Sequence, residues 1–200
     1  VTEEAPLMAG HARYTVLLDA CALFPICVCD ALMSVAATGI YAAKWTRRID
    51  DEWTRSLEAQ RGKPKGTFDV RRDLMHDACP DWEVPESAWR SLEESLSLPD
   101  SDDRHVLAAA VAGHADCIVT FNLRDFPEQA VAQFGIEVLH PDAFLISQLD
   151  LDPLRVLPAF KKMRARLCNP DLTPEAFAES IERNGLPQTA LFLREAAELI

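Results

Sequence analysis

The chain of 200 residues is 48% hydrophobic and 26% charged, a composition that suits a globular protein with one core and a small appendage. Its formal net charge of −12 argues against non-specific nucleic-acid binding by the whole surface. No apolar run approaches the roughly 20 residues that span a bilayer, and no secretory signal is visible, so we expect a cytoplasmic protein that does not enter membranes.

The first predicted element is a buried strand that ends on an acid. Residues 1–13 show no periodicity and are predicted to be a loose leader. Residues 14–19 form a continuous apolar run ending at Asp19, which is typical of a central parallel strand. The acid at its carboxyl end could serve catalysis or metal binding, or could cap the next helix, and the sequence favours neither. A mostly apolar helix is then predicted over residues 25–38.

A second helix, predicted from Thr46 to about Gln60, carries three consecutive acids. Asp51 points away from the apolar stripe of this helix, whereas Asp50 and Glu52 flank the stripe at similar angles, so geometry does not choose between them. A charged outer face is the alternative to a functional role. The stripe itself is predicted to be buried and consists of Trp45, Ile49, Trp53 and Leu57.

Basic residues concentrate around the end of that helix. Residues 44–72 contain nine basic and five acidic side chains within an acidic protein. The Gly and Pro residues of segment 61–66 predict a flexible loop that could reach a phosphate backbone, although a solvated basic surface is the more common case. Thr67 is predicted to cap a further helix to about Cys79, with His76 on the surface. Pro85 interrupts residues 81–98, and the sequence of this segment predicts that it is only partly packed.

An acidic cluster precedes an Ala-rich helix that ends near Gly113. At 100° per residue, Asp103 projects onto the middle of the apolar face of this helix, and His105 points to the opposite side. An isolated carboxylate on a core-facing stripe is costly unless it is paired or binds a cation. Helix capping by Asp100, Ser101 or Asp102 would explain one acid of the cluster, but not the position of Asp103.

The remaining elements predict the fold class. Residues 117–121 form a β-branched run that ends at Asn122, Asp125 lies in the following turn, and a short strand is expected over 136–139. Strands that alternate with helices predict an α/β three-layer sandwich with a mainly parallel sheet, in a domain of residues 14–150. Residues 151–200 carry only helical signals and predict a small all-helical C-terminal extension.

Four segments together resemble the PIN-domain family. They are VLLDACAL at 16–23, IDDE at 49–52, DSDDRHVLAAA at 100–110 and IVTFNLRDF at 118–126. The resemblance covers about residues 14–147 and is most specific between Asp103 and Phe126. Within the family the chain looks most like VapC-type toxins of bacterial toxin–antitoxin pairs that have a helical C-terminal extension.

The resemblance implies an activity and a set of site residues. It makes Asp19, Glu52 and Asp103 the metal-binding catalytic acids and so favours Glu52 over Asp50. Asn122 stands where many members have another Asp, and Asp100 or Asp125 is expected to compensate for the missing charge. The implied activity is Mg²⁺- or Mn²⁺-dependent endoribonuclease cleavage by a toxin. Its expected partners are RNA, a cognate antitoxin protein and, as a homodimer, a second copy of the chain.

The chemistry of these side chains supports the same reading. Carboxylate oxygens select Mg²⁺ or Mn²⁺ over softer metals, and acids held close together favour a bound cation. We expect hydrolysis by water that leaves a 5′-phosphate and a 3′-hydroxyl. Thr120 and Asn122 are expected to position the substrate near the metal. The residues expected to hold the RNA backbone are Arg48, Arg61, Lys63 and Lys65.

Two other functions compete with this prediction. A haloacid-dehalogenase-type phosphatase also begins with an Asp at the end of its first strand, but it requires a second Asp two positions later. Cys21 stands at that position and counts strongly against the phosphatase. A non-catalytic PIN-like module that binds RNA or a partner protein is the other alternative, and Asn122 is the residue that keeps it open.

Overall fold

A computed structural model describes residues 13–167 and 171–200 of the chain. Its centre is a sheet of four strands, all parallel, in the order β2-β1-β3-β4. The strands are β1 (Thr15–Leu18), β2 (Ala42–Lys44), β3 (Cys117–Val119) and β4 (Glu137–Leu139). The prediction of a mainly parallel sheet is confirmed, and so are three of the strands. Twelve of the thirteen residues predicted to form a loose leader lie outside the described residues.

Helices connect the strands and continue to the end of the chain. None of the helices in the described ranges combines the length and apolarity needed to cross a bilayer. The helices are α1 (Ala20–Leu23), α2 (Ile26–Ala36), α3 (Arg47–Arg61), α4 (Asp69–Ala78), α5 (Glu86–Glu93), α6 (Arg104–Ala112), α7 (Glu128–Val131), α8 (Pro141–Leu151), α9 (Pro153–Ala165), α10 (Pro174–Arg183) and α11 (Pro187–Glu195).

The direction of the connections reverses at β1. The chain first moves from β1 outward to β2, and later crosses back to β3 and continues to β4 on the other side. Because such crossovers are right-handed, α2 and α6 cover opposite faces of the sheet, which gives three layers. Helix α2 packs on β2, whereas α6 packs on β1 and β3. The carboxyl ends of β1 and β3 therefore meet at a topological switch point, where α/β folds place their ligands.

Helix α3 forms as its sequence predicts. The side chain of Thr46 accepts a hydrogen bond of 3.1 Å from the backbone N–H of Ile49, so Thr46 is the N-cap. Gly62, with a φ of 58°, ends the helix in the left-handed conformation. The four residues of the predicted apolar stripe, Trp45, Ile49, Trp53 and Leu57, are all buried. The helix thus presents one side to the core, and Asp50 and Glu52 lie at the edges of that side.

Several predictions around the basic segment were wrong. Strand β2 was not predicted, because its three residues lack a β-branched signal and are held by pairing with β1. Thr67 does not cap α4, which begins at Asp69 with Phe68 at the N-cap and no side-chain cap bond. His76 is not a simple surface residue, since its ring stacks on Trp82 at a centroid distance of 3.9 Å.

The C-terminal helices pack against the sandwich rather than standing apart from it. Helices α9 and α10 contact α2, and α11 contacts α8. The buried carboxylate of Asp142 on α8 accepts hydrogen bonds from the backbone N–H groups of Gln188 and Thr189, both at 2.9 Å, and from the hydroxyl of Thr189 at 2.8 Å. Asp142 thereby satisfies the free N–H groups at the start of α11. The domain boundary at residue 150 stays a prediction.

Candidate metal-binding site

Asp19 lies at the carboxyl end of β1 and is almost completely buried. Its backbone N–H donates to the carbonyl of Val119 at 3.1 Å, which places it level with the end of β3. Its Oδ2 accepts hydrogen bonds from the hydroxyl of Thr120 at 2.7 Å and from the thiol of Cys21 at 2.9 Å. Asp19 occupies the N-cap position of α1 but makes no side-chain cap bond, so the capping alternative is wrong.

Thr120 supports Asp19 from a buried position. Its side chain is completely buried, and its hydroxyl oxygen accepts a hydrogen bond from the backbone N–H of Asn122 at 3.0 Å while it donates to Asp19. A buried hydroxyl with these partners orients the carboxylate of Asp19. The expected role of Thr120 in positioning the substrate stays a prediction. Asn122 itself is exposed where the chain leaves β3, on the same edge of the sheet.

Asp103 immediately precedes α6 and is the most electrostatically perturbed acid of the group. It occupies the N-cap position without making a side-chain cap bond, so the capping role expected of Asp100, Ser101 or Asp102 was wrong for this helix. The pKa of Asp103 is raised to about 6, mainly by burial and then by the charges of Asp19, Asp125 and Asp100, while the charge of His105 acts in the opposite direction. Asp19, Asp125 and Asp100 therefore lie near enough to Asp103 for their charges to act on it.

Asp125 and Asp100 were expected only to compensate for the negative charge that Asn122 lacks. Asp125 is half-buried in the turn after β3, and Asp100 is exposed in the loop before α6. Asp100 also shapes that loop, because its Oδ1 accepts a hydrogen bond of 2.8 Å from the backbone N–H of Asp102. The acidic cluster of Asp19, Asp100, Asp103 and Asp125 thus keeps its negative charge although Asn122 carries none.

Glu52 lies on α3 and contacts the side chains of Arg48 and His105. Its Oε1 lies 3.2 Å from Nε of Arg48 and 3.1 Å from Nε2 of His105. Burial alone would raise the pKa of Glu52, but hydrogen bonding and charge from His105 and Arg48 outweigh burial and lower it. Arg48 also donates to Glu93 at 2.8 Å, so it is engaged by two acids rather than open to a phosphate. The principal charges acting on Asp103 come from the other aspartates, not from Glu52.

His105 was wrongly expected to point away from the packed side of α6. It is 2% exposed, and α5 covers it with the indole of Trp89, 6.1 Å away between ring centroids. The error arises because a helical projection identifies one apolar face, whereas α6 is covered on two sides, by the sheet and by α5. The Arg-His pair that directly follows Asp103 in the sequence was the signal that could have pointed to His105 as a residue of the site.

Asp50 is occupied by a separate buried network. Its Oδ1 accepts hydrogen bonds from the indole N–H groups of Trp45 and Trp53, each at 3.0 Å, and its Oδ2 lies 2.8 Å from Nε2 of His76. Burial raises the pKa of Asp50, and those partners act against that rise. Asp50 therefore serves the packing of α3, which leaves Glu52 as the one of these two stripe-flanking acids that faces an open surface.

That open surface is a cleft of about 500 Å³ beside the site. Glu52 and Asp102 line it together with four arginines and other acids. The full lining is Arg47, Arg48, Asp51, Glu52, Arg55, Glu83, Glu86, Trp89, Arg90 and Asp102. Arg61, Lys63 and Lys65 lie farther along and are exposed, Arg61 at the end of α3, about 14 Å from Glu52 along the helix axis, and the two lysines on the loop that follows.

The acidic side chains suit a hard divalent cation, but their oxygens do not surround a single point in this structure. Across residues 13–167 and 171–200, no three side chains of His, Cys, Asp or Glu stand close enough together to form a complete metal site. The repulsion that raises the pKa of Asp103 is nevertheless what a bound cation would relieve. Carboxylates are the ligands that Mg²⁺ and Mn²⁺ prefer, so the residues fit such an ion if the carboxylates draw together.

Comparisons with protein families divide the chain into two matched regions. The family model for the PIN domain matches residues 15–124, which include Asp19, Glu52, Asp103 and Asn122. The family model for the VapC50 C-terminal domain matches residues 141–195, which run from α8 to α11. The first match covers more than half of the chain.

One curated relative shares part of this sequence. The protein named "Putative ribonuclease VapC50" from Mycobacterium tuberculosis is 41% identical over 88 residues. The matched stretch is 44% of this chain and 52% of the relative, so it spans about half the length of that protein. No solved structure matches the chain significantly.

Proposed function

Because this chain belongs to the PIN-domain family, as its motifs predicted, we propose that it is a metal-dependent endoribonuclease and the toxin of a bacterial type II toxin–antitoxin pair. The observation that carries the proposal is the acidic cluster at the end of β1 and the start of α6, where Asp19 makes no cap bond and where burial and then the charges of Asp19, Asp125 and Asp100 raise the pKa of Asp103 to about 6. A cluster of this kind at the switch point of a parallel sheet is suited to a cation and a phosphodiester.

The metal would be Mg²⁺ or Mn²⁺. Asp19 and Asp103 would hold it, Glu52 would approach from α3, and Asp125, Asp100 or Asn122 would complete the shell. When bound, such an ion polarises a phosphodiester oxygen and lowers the pKa of water. The relative's name supports ribonuclease activity without naming a metal.

The residues of the chain itself prepare the site for this chemistry. Thr120 and Cys21 occupy Oδ2 of Asp19, while its Oδ1 has no hydrogen-bond partner in the described part of the chain. Asp19 therefore turns one oxygen outward. Arg61, Lys63 and Lys65 form an exposed basic segment that would bind phosphates of RNA, with Asn122 nearer the acids. Water would add to phosphorus and the 3′-oxygen would leave, which gives a 5′-phosphate and a 3′-hydroxyl.

The expected partners follow from the same assignment. A toxin of this class acts on RNA and is neutralised by a cognate antitoxin protein, and we expect both partners here, together with self-association as a homodimer and a cytoplasmic location. The match of the C-terminal helices to the VapC50 C-terminal domain supports the toxin assignment over a generic nuclease.

The decisive experiment is cleavage of total cellular RNA with Mg²⁺ or Mn²⁺, followed by mapping of the new ends. Wild type is expected to give 5′-phosphate ends, and Asp103→Asn is expected to be inactive. Asp150→Asn, a change at an exposed acid on α8, is the matched control and should cleave normally. An absence of cleavage with every metal and RNA tested would favour the non-catalytic binding module instead.

A second assay addresses the remaining alternative and the toxin role. Hydrolysis of a small phosphomonoester would favour the phosphatase, although the thiol of Cys21, whose pKa burial and Asp19 raise to about 12, is unsuited to acid–base catalysis. Expression of the chain alone should arrest bacterial growth, and co-expression of the neighbouring open reading frame should relieve the arrest. Normal growth would contradict the toxin role but not the nuclease activity.

A further inference from the structure

We propose that His105 is a positioning residue that holds the carboxylate of Glu52 in place for metal binding. The inference rests on the proposed function, since it concerns how one acid of that site is oriented. It adds a residue to the site that acts through Glu52 rather than on the substrate or the metal.

The contact between the two side chains can have only one polarity. Nε2 of His105 lies 3.1 Å from Oε1 of Glu52, and because a carboxylate can only accept, the contact is attractive in the tautomer that carries a proton on Nε2. His105 is 2% exposed, whereas about a third of the Glu52 side chain is exposed, at 32%. The rigid partner is therefore the histidine, and the glutamate, with three rotatable bonds, is the group that needs to be held.

Packing alone does not explain why a histidine occupies position 105, as its second ring nitrogen shows. Nδ1 is buried and has no hydrogen-bond partner within residues 13–167 and 171–200. A buried polar atom without a partner costs free energy that an apolar side chain would avoid. The contact between Nε2 and Glu52 is the interaction that an apolar side chain at this position could not make.

The surroundings fix the ring and the carboxylate from both sides. The indole of Trp89 packs against the ring of His105, with 6.1 Å between centroids. On the other side of Glu52, Arg48 binds the same Oε1 at 3.2 Å and is itself tied to Glu93 on α5. Oε1 is thus held by two donors, while Oε2 has no partner in the described residues and remains available to a cation.

The position of His105 on α6 couples two acids that lie far apart in sequence. Asp103 immediately precedes α6, and His105 lies in the first turn of the same helix. The start of α6 therefore contributes one acid directly and orients a second acid, Glu52 of α3, through the imidazole. Supporting hydrogen bonds of this kind typically change metal affinity by about 10- to 100-fold when they are removed.

The test replaces the imidazole by amides that keep one nitrogen or the other. His105→Gln retains a donor near the place of Nε2, whereas His105→Asn retains one near Nδ1, and His105→Leu retains neither. Mn²⁺ binding is measured without RNA by electron paramagnetic resonance of the free ion, and the Mn²⁺ dependence of RNA cleavage is measured in parallel. We expect Gln to stay within about threefold of wild type and Asn and Leu to weaken Mn²⁺ binding at least tenfold.

The same variants in a Glu52→Gln background separate positioning from general stability. If His105 acts through Glu52, His105→Leu should cause no further loss of Mn²⁺ affinity in that background. An equal loss in both backgrounds, or equal affinities of the Asn and Gln variants, would overturn the inference. Should His105→Leu fold poorly, the comparison of Asn with Gln decides alone. A wild-type protein that binds no Mn²⁺ would overturn the proposed function as well.

Discussion

The hydroxyl of Thr120 donates a hydrogen bond of 2.7 Å to Oδ2 of Asp19, although 101 positions separate the two residues in the chain. The bond joins the ends of β1 and β3, the two strands that meet at the switch point of the sheet. It fixes one oxygen of Asp19 and leaves the other free to turn outward. The orientation of this catalytic candidate thus depends on a residue that follows the neighbouring strand.

Replacing Thr120 by Val should impair the site without unfolding the protein. Val keeps the shape of the buried side chain but removes the donor to Asp19, which leaves only the weaker thiol donor of Cys21, at 2.9 Å. We expect the Mn²⁺ concentration for half-maximal cleavage to rise about tenfold. Thr120→Ser keeps the hydroxyl and should behave like wild type, and an equal effect of Ser and Val would contradict the role given to this bond.

Replacing Asp103 by Asn should stabilise the metal-free protein at alkaline pH while it abolishes cleavage. The folded-state pKa of Asp103 is raised from 3.8 to about 6, so its ionised form is disfavoured by folding. The penalty is fully present above pH 6 and disappears as the pH falls toward 4. Because Asp103 makes no side-chain cap bond, Asn loses no capping interaction.

The measurement is thermal unfolding in EDTA between pH 4 and pH 8. At pH 8 the variant should gain about 1–2 kcal/mol after an allowance for solvent screening, or about 2–8 °C in Tm. The gain should shrink toward zero near pH 4. Asp150→Asn, at an exposed position of α8, should change little at any pH, and a destabilised Asp103→Asn at pH 8 would contradict the repulsion described for the cluster.

Asp50 and Glu52 should respond in opposite ways to substitution. Asp50→Ala leaves the indole N–H groups of Trp45 and Trp53 without their acceptor and should destabilise the protein by about 3 kcal/mol. Glu52→Gln should leave Tm within about 2 °C of wild type, as substitutions on partly exposed surfaces do, yet lower cleavage by at least tenfold.

Thermal unfolding and RNA cleavage, measured on the same preparations, distinguish these two roles. Asp51→Ala is the matched control on α3, because its side chain is exposed and lies between the other two acids. It should affect neither property. A Glu52→Gln variant with normal cleavage would remove Glu52 from the site.

Replacing Asp142 by Ala should loosen the last helix of the C-terminal extension. The change removes the acceptor for the N–H groups of Gln188 and Thr189 and for the hydroxyl of Thr189. We expect a loss of about 2–3 kcal/mol of stability. Amide hydrogen exchange should rise first in α11, since the carboxylate satisfies the start of that helix.

Asp150→Ala, on the same helix but exposed, is the control and should leave exchange in α11 unchanged. Uniformly faster exchange throughout the protein, rather than a local change in α11, would show that the carboxylate supports the whole fold instead of this one helix.

The sequence by itself determined the elements that depend on local signals. The apolar run before Asp19 and the Thr46 cap and buried stripe of α3 are found where the sequence placed them. Such features depend on a few neighbouring residues, through side-chain periodicity and capping hydrogen bonds. The motifs around Asp103 likewise sufficed to predict the family, because they are contiguous.

Only the tertiary structure decided which side chains those elements bring together. Strand β2 exists because β1 offers it a hydrogen-bonding partner, and His105 is buried because α5 covers a second side of α6. Helical periodicity did not choose between Asp50 and Glu52, since both acids flank the same stripe of α3, and only the family resemblance favoured Glu52. Trp45, Trp53 and His76 enclose Asp50, whereas Arg48 and His105 hold Glu52 beside an open cleft, and these partners come from segments that no periodicity relates to α3.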